Sequence, residues 1–204
     1  MSTAYDAVLF DFDGVLADTE PVHRECWAEV LAPYGIDLDW ETYVRHCVGV
    51  SDCDMVDFLR SLAPKAVEAE TLFGEYPRKK SLFRERTRLA SPISQETRVL
   101  VSELARTYRL AVVSSSGRLE IEPLLERAGI RDFLATVVCG DDVERHKPAP
   151  DPYLLAARRM EIGQALVVED SEAGCASGRA AGFDVLRVSS ARETARMVRE
   201  RLGL

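Results

Sequence analysis

An α/β fold is predicted by this sequence: a doubly wound parallel-sheet core carrying an inserted, all-helical domain. Three observations predict it. Short apolar runs recur at 7–10, 110–113, 135–139, 165–168 and 185–188. Helical patterns separate or follow the last four of them. The stretch 21–88 carries helical spacing and almost no strand signal.

The first run, Ala7-Val8-Leu9-Phe10, is continuous rather than alternating, and so are the later four. Continuous runs suit parallel strands covered on both faces, because neither side of such a strand meets water. Helical patterns fall at 118–128, 151–160, 172–181 and 191–203, so strand and helix alternate. Within 21–88, Val22, Trp27, Val30, Leu31 and Tyr34 share helical spacing, as do Met55, Phe58, Leu59 and Leu62. So long a helical passage is not a simple crossover between parallel strands. It is read as a helical cap over 18–88, leaving 1–17 and 89–204 as the α/β core. The expected connectors are 14–20 and 83–92.

Composition narrows the function. Of the 204 residues, 47% are hydrophobic, enough for a substantial core. The net charge of −8 repels nucleic acid and anionic membrane, so neither is an expected partner, and no obligate protein partner is evident. Cys26, Cys47, Cys53, Cys139 and Cys175 are odd in number and show no C-x-x-C spacing. A reducing cytosol suits them better than a disulfide framework or a zinc site, and a cytoplasmic protein is expected. No apolar run approaches the length of a membrane span.

The chemistry gathers at predicted strand ends, where open parallel sheets place functional groups. Asp11-Phe12-Asp13-Gly14 follows the first strand. One carboxylate there can attack phosphorus while the other handles a proton. Gly14 lets the backbone approach a phosphate closely. A D-x-D-G turn is also common in its own right and sometimes binds calcium. Glu169-Asp170-Ser171 ends a later strand. Adjacent acids are costly unless solvated or paired with a cation, and with Asp11 they can form a magnesium site. The plainer reading is a solvated turn capping the next helix. Ser114-Ser115-Ser116-Gly117 follows the second strand and can hold phosphate oxygens or simply cap a helix. Lys147 sits in His146-Lys147-Pro148, in a chain with 22 Arg and only four Lys. It is either a chosen ammonium or a surface lysine.

The order of these motifs, Asp-x-Asp, Ser, Lys, Glu-Asp, resembles the haloacid dehalogenase-like superfamily of hydrolases, with its Rossmann-like core. The helical insert is similar to that of the branch containing β-phosphoglucomutase and small sugar-phosphate phosphatases. That resemblance implies Asp11 as the nucleophile forming an aspartyl phosphate and Asp13 as general acid, then base. It implies that Ser114 and Lys147 bind the transferring phosphoryl group. It implies a Mg²⁺ cofactor held by Asp11, Asp13 through its carbonyl, Asp170 and Glu169. Substrate contacts would come from Gly14, Thr19, His23, Gly49, Ser51, Ser115, Ser116 and Arg118. Trp27 matches the same branch but reads as cap core. The implied substrate is a small phosphomonoester, a sugar phosphate, released to water; the alternative is a phosphomutase of the β-phosphoglucomutase type. The chain departs from that mutase in the loop Val48-Gly49-Val50-Ser51-Asp52, where Val48 and Asp52 replace a Lys and an Arg. The second connector, Ser91-Pro92-Ile93-Ser94-Gln95, lacks the family's usual Pro-Gly.

Overall fold

The computed structural model describes residues 5–48, 50, 52–89 and 91–204, with the side chain of Asp52 left aside. The chain divides into two compact units: Met1–Asp18 with Ser91–Leu204, and Thr19–Ala90. Strand β1 (Ala7–Phe10) opens the first unit. The second unit is built from α1 (Glu20–Leu31), α2 (Trp40–His46), α3 (Asp52–Ser61), α4 (Ala69–Phe73) and α5 (Tyr76–Leu89). The chain then continues the first unit through α6 (Gln95–Leu104), β2 (Arg109–Val113), α7 (Arg118–Arg127) and β3 (Leu134–Val138). It closes with α8 (Asp151–Met160), β4 (Ala165–Glu169), α9 (Glu172–Ala180), β5 (Asp184–Arg187) and α10 (Ala191–Leu202).

All pairings are parallel, in the order β3-β2-β1-β4-β5. The order reverses direction between β1 and β4, so their carboxyl ends flank the crevice where such sheets bind ligands. β1 and β4 are buried throughout, as continuous apolar runs require. Full burial of a side chain such as Phe10 stabilises the core by about 1.5–3 kcal/mol. The strand β5 is different. It lies at the sheet edge and is only partly buried, so the expectation of cover on both faces fails there. The strands β3 and β5 also begin and end one residue earlier than the sequence suggests.

Two expectations about the connectors need correction. Residues 83–89 are the last two turns of α5, not a linker. Phe83 and Thr87, one turn apart, are both buried, and Arg86 and Arg88 suit the negative end of the helix dipole. Glu20 likewise begins α1 instead of ending a linker. The sequence reading also passed over α6. Its buried face is Thr97, Leu100, Val101 and Leu104, and Ser94 caps it by accepting a bond from Thr97 N at 3.0 Å.

The second unit has its own core. Trp27, Val30, Leu31, Tyr43, Leu59 and Leu72 belong to one buried cluster, so Trp27 is core as expected. Gly35, with φ of 70°, ends the turn after α1 and packs against the Pro64 ring. No helix among the described residues is long and apolar enough to cross a membrane.

Candidate active site

Three neighbouring strands, β2, β1 and β4, deliver the site. Asp11 is the first residue past β1, and its backbone N–H still bonds Val168 O at 2.9 Å. That bond fixes the main chain, so the carboxylate emerges at a defined point. Lys147 meets it there: Nζ donates to Asp11 Oδ1 at 2.6 Å, Glu169 Oε1 at 2.6 Å and Val113 O at 2.9 Å. An ammonium has three donors, and all three are engaged. The Lys147–Pro148 peptide is cis.

Electrostatics make this a charged knot inside the protein. Burial pushes the Asp11 carboxyl well above the usual carboxylate range. Lys147 pulls it back in part, while Glu169, Asp170 and Asp13 push it further up. Burial alone would lower the Lys147 pKa, yet Asp11 and Glu169 hold it above its ordinary value. Lys147 therefore stays charged, but one ammonium does not balance the surrounding carboxylates.

Asp11, Glu169 and Asp170 offer oxygens within 4.8 Å of one another. Gly14 belongs to the same arrangement. Its φ is 76°, and a Cβ there would lie 2.0 Å from Asp170 Oδ2. Only glycine lets the β1 loop turn this closely past Asp170. Asp13, on the same loop, is half-buried. Its Oδ2 accepts bonds from Ser116 Oγ at 2.8 Å and Ser114 Oγ at 3.4 Å. Gly140 lets the loop after β3 approach the serine loop: Gly140 N bonds Ser116 O at 3.0 Å, and a Cβ would come within 2.4 Å of Ser115 O.

A profile of the haloacid dehalogenase-like hydrolases matches residues 8–188. The chain belongs to this family. A relative, fructose-1-phosphate phosphatase YqaB of Escherichia coli, is 32% identical over 204 residues, spanning 92% of this chain and 98% of its own. A phosphorylated carbohydrates phosphatase of Thermotoga maritima is 29% identical, over 88% of this chain and 82% of its own. Among solved structures, a variant of CbbY from Rhodobacter sphaeroides in complex with xylulose-(1,5)bisphosphate has a TM-score of 0.74 at 28% identity. It covers 90% of this chain and 87% of that one.

In this haloacid dehalogenase-like hydrolase the structure brings Asp11, Asp13, Gly14, Ser114, Ser116, Lys147, Glu169 and Asp170 together. Ser115 is exposed on the same loop. Arg118 is held by neighbours outside the cluster. Its guanidinium bonds Glu122 Oε1 at 2.8 Å, Asp142 Oδ2 at 2.6 Å and Val137 O at 3.4 Å, and no bond among the described residues joins it to the Asp11 cluster. Thr19 and His23 belong to the helical unit. Thr19 is fully buried and its carbonyl accepts the His23 N–H at 2.9 Å. The His23 ring stacks on Phe83 with centroids 4.2 Å apart, and Nδ1 lies 2.7 Å from Lys79 Nζ. Gly49 and Ser51 lie outside the described residues.

Sequence reasoning missed Tyr153. Its hydroxyl donates to Glu169 Oε1 at 2.8 Å, and its ring centroid lies 5.1 Å from Lys147 Nζ. Burial, then the charges of Glu169 and Asp11, push its pKa well above the ordinary tyrosine value. The signal was present: Tyr153, Ala156, Ala157 and Met160 form one apolar helix face, and a buried tyrosine hydroxyl needs a partner. The cysteines take no part in the cluster. All five are free thiols, and burial pushes Cys47 and Cys139 up to about 11.

Proposed function

We propose that the protein is a phosphohydrolase of small phosphorylated carbohydrates that passes the phosphoryl group through Asp11 to water. The observation that carries this reading is the seat of Asp11. Its Oδ1 is fixed by a buried lysine at the end of the central strand, and its Oδ2 takes no hydrogen bond among the described residues. A carboxylate held by one oxygen presents the other for attack on phosphorus. The phosphatase names of the YqaB and Thermotoga relatives support the reaction class.

In the first half, Asp11 Oδ2 forms a bond to phosphorus as the bond to the leaving oxygen breaks. Asp13 gives that oxygen its proton. In the second half, Asp13 takes a proton from water, which attacks the aspartyl phosphate and frees Asp11. Lys147 keeps Asp11 aimed. The Ser114 and Ser116 hydroxyls stand beside Asp13 and can donate to phosphoryl oxygens. The donor set fits Mg²⁺, with hard carboxylate oxygens from Asp11 and Asp170 around a cradle that excludes a side chain at Gly14. The Asp13 carbonyl would join them. A bound Mg²⁺ would offset the repulsion between a carboxylate and a phosphate dianion. The helical unit, inserted between β1 and α6, is read as a cap that excludes bulk water and admits only small substrates. Buried free thiols suit a reducing compartment, and the cytosol is the location we infer.

The test is phosphate release from a panel of sugar phosphates with Mg²⁺. Wild-type protein is expected to release phosphate from at least one. Asp11→Asn, nearly the same shape but a poor nucleophile, is expected to release none while keeping the wild-type circular dichroism spectrum. Turnover by pure Asp11→Asn would overturn the reading.

A further inference from the structure

We propose that Tyr153 is a positioning residue whose buried hydroxyl locks Glu169 onto Lys147, so that Glu169 serves the lysine and not the metal. This rests on the reading of Asp11 as phosphoryl acceptor.

Glu169 is fully buried. Its Oε1 accepts from Lys147 Nζ at 2.6 Å and from Tyr153 Oη at 2.8 Å. Its Oε2 accepts from Asp170 N at 3.1 Å, Ser171 N at 3.3 Å and Ser171 Oγ at 3.1 Å. A carboxylate has about four lone-pair directions, and five donors already crowd this one. A direct bond to a metal would displace at least one buried donor and leave it unpaired. The start of α9 is shaped around the same group: a Cβ at Gly174 would lie 1.8 Å from Glu169 Oε1. Oxygen proximity therefore overstates the metal set, and direct coordination falls to Asp11 and Asp170.

Lys147 has no spare donor, so its position is set jointly by Asp11, Val113 O and Glu169. Tyr153 supports it from both sides, with its ring facing the ammonium and its hydroxyl holding Glu169. Without the hydroxyl, Glu169 Oε1 loses the donor that fixes its angle. Lys147 then loses register with Asp11, and the aim of the nucleophile suffers.

Tyr153→Phe isolates the hydroxyl, because the ring and its packing remain. Two measurements decide the matter: steady-state kinetics on a releasing sugar phosphate, and Mg²⁺ binding by calorimetry without substrate. The expected result is a fall in kcat of about tenfold, with KM and the Mg²⁺ dissociation constant within threefold of wild type. Asp170→Asn, run beside it, is expected to weaken Mg²⁺ binding by more than about tenfold. A Mg²⁺ constant for Tyr153→Phe that moves by more than threefold would return Glu169 to the metal and overturn the proposal. A kcat loss below threefold, or a KM change beyond threefold, would also overturn it. The calorimetry needs no turnover. Failure of wild type to release phosphate would strike the Asp11 reading, and the titration would still decide what Glu169 holds.

Discussion

Asp11 stands where burial and neighbouring acids disfavour its carboxylate as an anion. Burial and three neighbouring acids raise its folded-state pKa well above the ordinary value of about 3.9, against the single pull of Lys147. The sign follows from linkage. A raised carboxyl favours folding most below about pH 3.9, and that contribution fades as pH rises towards the folded value. As pH rises past that range, ionisation of Asp11 works against folding. Asp11→Asn keeps an acceptor for Lys147 and removes the charge, so in excess chelator it is expected to melt above wild type by a few degrees, the scale of about 1 kcal/mol. Mg²⁺ is expected to raise the wild-type melting temperature and to raise that of Asp11→Asn less. Thermal scans with chelator and with Mg²⁺ check both, and an Asn variant melting below wild type in chelator would contradict the account. Such a loss of activity with a gain in stability is what a strained functional cluster gives.

The elements show what the sequence could and could not reveal. The five strands were legible because each is a short, mainly apolar run between polar turns, interrupted only at Thr136 and Arg187, and Asp11, Ser114 and Glu169 were legible because each falls at a strand end. Tyr153 was legible as a buried tyrosine of α8 but its partner was not, because that partner is a glutamate on β4, brought beside it by the fold and distant along the chain. The partners of Arg118 were only half legible: Glu122 lies one turn along the same helix, whereas Asp142 reaches it from the segment after β3. The helix α6 was passed over because it follows Ser91-Pro92, whose residue types read as linker. Its cap decides the matter. Ser94 Oγ accepts the Thr97 N–H at 3.0 Å and satisfies one orphan donor of the first turn. Ser94→Ala is expected to cost about 1 kcal/mol. Urea unfolding followed by circular dichroism would show this as a lower midpoint with an unchanged slope. An unshifted midpoint would mean that packing of Leu100, Val101 and Leu104 alone holds α6.

At the scale of the whole molecule, the two units divide the work proposed for them: one performs phosphoryl transfer and the other selects what is transferred. Phosphatase and phosphomutase differ in that second task. A mutase must bind a bisphosphate in two orientations, so it needs a cation for the phosphate that is not reacting. The resembled mutase places an Arg in the loop where this chain has Asp52, and a Lys where it has Val48. That is a change of about two charge units at one position, and an acid near a phosphate dianion in low dielectric costs roughly a few kcal/mol. Two cations of the helical unit, Arg45 and Arg78, could compensate only by leaving carboxylate partners. Arg45 pairs with Glu41 at 2.6 Å, and Arg78 lies 3.8 Å from Glu29 and 3.9 Å from Glu75. Lys79 is the cation to watch. It lies 2.7 Å from His23 Nδ1, faces the Trp27 ring at 5.9 Å, and brings a positive charge to residues that match the mutase branch. The balance favours the phosphatase. Incubation with β-glucose 1-phosphate, Mg²⁺ and a trace of glucose 1,6-bisphosphate is expected to yield no appreciable glucose 6-phosphate. Stoichiometric inorganic phosphate is expected from at least one sugar phosphate of the panel. Efficient isomerisation with negligible phosphate release would show that Lys79, or another cation of this unit, supplies the second grip despite Asp52. Loss of that isomerisation in Lys79→Ala, with an unchanged circular dichroism spectrum, would assign the grip to Lys79, and its survival would assign it to another cation.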